Sequence, residues 1–144
     1  MTASVKWWIA AVVFAAAFLF LSMQEGVYDF SVSLVPGHWH VLPRKVMATA
    51  CFVIISFCVG RAAEHDRGRA DWALPVLTGT IFSAFIEVAQ HYYDRYLGVP
   101  IEPYRWNVID VFTGTIGGLI AVWALAFTRR RGRREQRRHA RPES

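Results

Sequence analysis

Cysteine and charge are both scarce in this chain, and short signatures of nucleotide or metal chemistry are missing. Cys51 and Cys58 are its two cysteines. Seven residues apart on a helix, they would stand about 10 Å apart along its axis, too far for a disulfide. They also lack the Cys-x-x-Cys or Cys/His spacing of a metal or redox site, so they read as small buried apolar side chains. Charged residues make up 19% of the sequence, against 54% hydrophobic and 15% aromatic, which is too apolar for an ordinary soluble domain. No GxxxxGK[ST], GxSxG or HExxH occurs, so nothing calls for a cofactor or for P-loop, hydrolase or zincin chemistry. The chain has no internal repeat and no broken helix at mid-membrane, the usual marks of a transporter.

What the sequence does contain is oil, in four blocks. Residues 7–23, 41–60, 72–90 and 108–127 are apolar runs, each near the ~20 residues that cross a ~30 Å hydrocarbon layer. They are continuous, without the alternation of barrel strands. The expectation is an all-α integral membrane four-helix bundle over residues 1–128. Lys6 ahead of the first run raises the alternative of a signal peptide. A single positive charge in front, and "SMQEG" where a small-x-small site would stand, favour a retained helix.

The last stretch, 129–144, reads "RRRGRREQRRHARPES" and carries eight arginines. Like charge of this density usually keeps a segment solvated and without regular structure. The positive-inside rule places it in the cytoplasm, and four crossings bring the N-terminus to the same side, so both termini are cytoplasmic. Only Arg44, Lys45, Arg95 and Arg105 are then left outside. The tail has no interleaved aromatic residues, which points to membrane lipid as its partner and away from nucleic acid. The outer connections, 24–40 and 91–107, are rich in Tyr, Trp, His, Gly and Pro. They read equally as an aromatic belt in the headgroup zone and as the walls of a site at the outer leaflet.

One constellation stands at the outer ends of the last two spans. Glu87, Gln90 and His91, at i, i+3 and i+4, share a face of the third helix. A carboxylate at the edge of the oil needs a partner, water or a proton. Asp110 lies in the first turn of the fourth helix, three residues after Asn107, where an N-cap pattern and a site explain it equally well. Arg105 offers a planar fork to Glu87, to Asp110 or to an anionic group on a ligand. Gly114 and Gly118, with Gly117 alongside, have the spacing for close helix approach, and Gly79 and Ser83 repeat it on the third helix. A close pair would bring Glu87 and Asp110 to similar depth around one outward-facing pocket. His38 and His40 form a His-x-His pair at the same surface, but with no third ligand no metal site is assigned.

"FIEVAQHYY", then Arg105, then "DVFTGTIGG" resembles the VanZ-like family of small multi-helix membrane proteins, over residues 73–124. The resemblance implies a Glu-x-x-Gln pair at Glu87 and Gln90, a loop Arg at Arg105, and Asp110 ahead of a Gly-rich helix; the family's upstream histidine falls on His40. Thr113 departs from it, standing where family members commonly carry Asn. The resemblance further implies the inner membrane of a bacterium and a cell-envelope role linked to resistance to the glycopeptide teicoplanin. On this reading Glu87 or Asp110 serves as general acid or base, while Gln90, His91, Arg105 and His40 bind a lipid-linked or envelope glycan ligand. The alternative is a small structural subunit of a larger membrane protein complex, with the glycine faces and aromatic side chains as partner contacts.

Overall fold

The computed structural model describes residues 2–24, 41–98 and 104–139, with side chains for 2–24, 42–98 and 108–132. The described residues form four helices: α1 (Ala3–Ser22), α2 (Val41–Arg67), α3 (Ala73–Leu97) and α4 (Tyr104–His139). Each contains a segment long and apolar enough to cross a membrane: Ala3–Ser22, Leu42–Arg67, Ala73–Leu97 and Val108–Gly132. One end of the bundle, called here the connection end, holds the start of α2, the end of α3 and the start of α4. The other, the terminal end, holds the start of α1 and the α2–α3 turn.

Stop signals, more than hydropathy, set where the helices end. Past Arg67 the chain turns at Gly68, whose φ of 64° suits a residue without a Cβ. Asp71 then starts α3: its Oδ1 accepts the backbone N–H groups of Ala73 and Leu74 at 3.2 and 3.1 Å, supplying acceptors that the first turn lacks. Its Oδ2 takes Arg67 Nη1 at 2.9 Å. No such stop occurs at residue 90, so α3 runs on through "HYYDRYL" to Leu97 and ends on Gly98, at φ 70°. Most of the 91–107 stretch expected as a connection is therefore helix, leaving only 98–103 between α3 and α4. The 24–40 connection lies outside the described residues.

α4 likewise passes the expected boundary at 128 and continues as one helix to His139. The expectation of a segment without regular structure from 129 is corrected for 129–139. Arg, Gln and Glu are good helix formers, and the helix is fastened as it leaves the span. Arg129 Nε donates to Glu64 Oε1 at 2.7 Å, and its guanidinium sits 5.2 Å from the Trp72 ring centre.

α2 touches all three other helices, and α4 packs tightly against both α2 and α3. Gly79 of α3 and Gly114 of α4 face each other with no room for a Cβ between either and the other's carbonyl oxygen. On the side of α4 toward α2, a Cβ at Gly117 would fall 2.6 Å from that of Phe52. In hydrocarbon the driving force is this close packing, with interhelical hydrogen bonds worth about 0.6 kcal/mol each. Among the described residues such bonds join α3 to α4: Thr80 and Thr115 share a hydrogen bond of 2.9 Å, and Ser83 Oγ donates to the Asp110 carbonyl at 2.6 Å. Both cysteines of α2 are free, Cys58 buried and Cys51 partly so.

α1 leans on α2 and buries little. Ala11 is its one buried residue, and contact comes from edge-on aromatic pairs, Trp7 with Phe57 and Phe18 with Phe52. Polar ties hold it at both ends. Ser4 Oγ and Trp8 Nε1 donate to Asp66 at the terminal end, and Gln90 Nε2 donates to the Ser22 carbonyl at 3.0 Å at the other.

Candidate functional site

Along the side of α3 that meets α4, residues recur every four positions: Pro75, Gly79, Ser83, Glu87. The first three are buried and small enough to keep the two backbones in contact. At Glu87 the small residues give way to a large one. Here a groove of about 620 Å³ lies between the helices, running from Ala84 and Thr115 to Tyr92 and Val108, roughly 12 Å along the helix axis. Val88, Val111 and Phe112 make its walls apolar. Polar groups gather toward the connection end, with Glu87 partway along and His91 and Tyr92 near the mouth. The His91 and Tyr92 rings meet edge to face at 5.9 Å. At the deep end the Thr115 hydroxyl is shared with Thr80 and also donates to the Val111 carbonyl at 3.0 Å.

The expected site residues are spread over three faces of the bundle. Glu87 and His91 share the groove. Gln90, though only one residue from His91, is turned about 100° around the helix and gives its amide to the end of α1. Asp110 does not line the groove. It pairs with Lys45 of α2, and both side chains are about a quarter exposed, at 22 and 26%. The Ser83 bond sets Asp110 level with the residue one turn inside Glu87, so the two acids differ in depth by about 6 Å. The side chain of Arg105, at the start of α4, and the whole of His40 lie outside the described residues. Gly79, Gly114, Gly117 and Gly118 all stand at close helix contacts, Gly118 against the Pro75 and Val76 backbone of α3.

Lys45 is the functional group that reading the residues one by one passes over. Next to Arg44 near the start of an apolar helix, it reads as a side chain reaching for headgroups. In the structure its ammonium turns inward to Asp110, and its own carbonyl accepts the Thr49 hydroxyl at 2.7 Å. The available signal was depth: Lys45 and Asp110 each lie within two turns of the start of their helices, at the same end of the bundle.

An apolar groove with a carboxylate partway along and an imidazole near the mouth can hold an amphiphile, its apolar part along the walls and its hydrogen-bonding groups at Glu87 and His91. Among the described residues no group of three His, Cys, Asp or Glu side chains is placed to hold a metal ion. No protein-family model, curated protein or solved structure matches the chain.

Proposed function

We propose that this chain is a VanZ-like integral membrane protein that binds an envelope amphiphile, a lipid-linked or glycan-bearing molecule, in the groove between α3 and α4. The observation that carries the reading is the groove itself, with apolar walls, Glu87 partway along and His91 near the mouth. Twelve of the sixteen Lys and Arg residues fall in the N-terminal stretch, the last two turns of α2, the α2–α3 turn and the stretch from 129 on. By the positive-inside rule these face the cytoplasm, both termini with them, and the groove mouth faces outward across a bacterial inner membrane. Glu87 accepts hydrogen bonds from head-group hydroxyls, His91 adds a second polar contact, and Arg105 and His40, adjacent in sequence to the starts of α4 and α2, complete the ligand-binding set. If the ligand is turned over, Glu87 is the general acid or base, since it is the acid lining the groove. Asp110, already inside α4 and paired with Lys45, is then a positioning residue that ties α4 to α2.

The test is reconstitution of the purified protein with a panel of lipid-linked glycans and ordinary phospholipids, followed by native mass spectrometry of what is retained. Selective retention of one lipid-linked class, lost in Glu87→Gln and in Val111→Trp, supports the reading. Equal retention of every lipid by the protein and both variants overturns it. The second reading, a structural subunit of a larger membrane complex, draws on α1, whose outer face leaves Val12 and Phe20 each 66% exposed. A stoichiometric partner copurifying in mild detergent, released by substitutions at those two positions, would favour it.

A further inference from the structure

At the terminal end of the bundle, away from the groove, α2 and α4 leave the apolar span side by side and three ionised side chains meet. Glu64 accepts Arg61 Nη1 on Oε2 at 3.0 Å and Arg129 Nε on Oε1 at 2.7 Å. An indole lies over each cation, Trp7 with its ring centre 5.9 Å from Arg61 and Trp72 at 5.2 Å from Arg129. The three side chains are 28, 23 and 17% exposed for Arg61, Glu64 and Arg129, so the cluster is largely withdrawn from water. One carboxylate therefore answers two guanidinium groups. Among the described residues, the other acids at this end are committed elsewhere: Asp66 to Ser4 and Trp8, Asp71 to Arg67 and the start of α3. Arg130 and Arg131 follow directly and add charge of the same sign.

A half-buried cluster with one uncompensated positive charge is costly unless an anion completes it. The place where an apolar helix leaves the hydrocarbon is where lipid phosphates lie, and tryptophan rings favour the same layer. Arg129 meets Glu64 through Nε, one of the five N–H donors of a guanidinium whose fork matches phosphate oxygens. We infer that the Arg61–Glu64–Arg129 cluster, framed by Trp7 and Trp72, is a binding site for the headgroup phosphate of an anionic phospholipid. Glu64 has two roles in it: it holds both guanidiniums in register, and it lowers the cluster's charge to one, which a single phosphodiester neutralises. The inference does not rest on the groove, which lies at the other end of α3.

The test uses the full chain in mild detergent micelles doped with equal amounts of phosphatidylglycerol and phosphatidylcholine, with retained lipid read by native mass spectrometry. Retention of phosphatidylglycerol over phosphatidylcholine by threefold or more is expected, falling to near parity in Arg129→Gln and in Arg61→Gln. Arg129→Lys, which keeps the charge and loses the fork, should fall between; it also serves as the reading if Arg129→Gln fails to fold. Glu64→Gln should raise the preference, the opposite direction to what a purely structural salt bridge would give. Parity in the unmodified protein, an undiminished preference in Arg129→Gln, or an equal loss in the control Arg133→Gln/Arg134→Gln would each overturn the proposal. Displacement of the lipid by millimolar inorganic phosphate would also overturn it, because the occupant would then be a free anion.

Discussion

Among the described residues, ionic contacts join α2 to α4 at each end of the bundle, and they differ in stoichiometry. At the connection end Lys45 meets Asp110, one cation with one anion. At the terminal end Arg61 and Arg129 share Glu64. Their exposure is similar, so solvent does not separate them; charge balance does. A matched pair is complete within the protein and fixes how the helices sit. A two-to-one cluster is held together by its carboxylate and still presents positive charge to whatever surrounds it. The same two helices are thus closed at the end near the groove and electrostatically open at the other.

The largest effect should come from breaking the matched pair. Lys45→Met leaves the Asp110 carboxylate three-quarters buried without its cation, and Asp110→Leu does the same to Lys45. Fully buried pairs broken this way lose about 3–5 kcal/mol; with a quarter of each side chain exposed, about 2 kcal/mol is expected for either single change. The double variant, which removes both charges, should recover most of the loss. Thermal unfolding in detergent of the four proteins of the cycle measures it, and additive single losses would mean that the two groups do not interact in the folded protein.

The unmatched cluster should behave asymmetrically, and that sharpens the contrast. Glu64→Gln leaves two guanidiniums facing each other and should cost about 1–2 kcal/mol, more at low salt than at high. Arg129→Gln leaves an ordinary Arg61–Glu64 pair, spaced i, i+3 on one helix, and should cost under about 1 kcal/mol. Equal losses for the two variants would show that the cluster works as a simple pair like Lys45–Asp110. A smaller change is expected at the α1 tie: Gln90→Ala removes one interhelical hydrogen bond, about 0.6 kcal/mol. It should show first as faster amide exchange at the end of α1 than elsewhere, and uniform exchange across α1 would count against the tie.

Sequence patterns showed some of this architecture and hid the rest, for physical reasons. Twenty-residue apolar runs made the four spans visible, because nothing else in a short chain needs them. The meeting of Gly79 with Gly114 was visible too, since small residues four apart on two adjacent helices have one obvious use. Helix ends were hidden where the stop lies outside the oil: α3 goes on past His91 until Gly98 supplies a left-handed residue, and hydropathy does not register that. The convergence of Glu87, Gln90 and Asp110 was the hardest to judge. Positions i, i+3 and i+4 span an arc of about 100°, wide enough to meet two different neighbours. Which neighbour each group meets depends on helix rotation, and that is set by distant contacts such as the Gly79–Gly114 crossing. So Gln90 reaches α1, Asp110 reaches Lys45, and Glu87 remains with the groove.

The smallest effect tests how far the open end extends. Gly132 lies beyond the Arg129–Glu64 contact, within α4, and a Cβ there would meet nothing within 4 Å. In a helix interior glycine is less favourable than alanine by about 0.5–1 kcal/mol. Gly132→Ala should therefore strengthen helix locally, slowing amide exchange for residues 129–139 several-fold while the unfolding temperature of the bundle hardly moves. If exchange over that stretch is already at the rate of an unstructured chain and stays there in the variant, the positive charge beyond Arg129 is carried on an irregular tail. The ordered part of the terminal end would then stop at the Arg61–Glu64–Arg129 cluster, which alone would decide which lipid it holds.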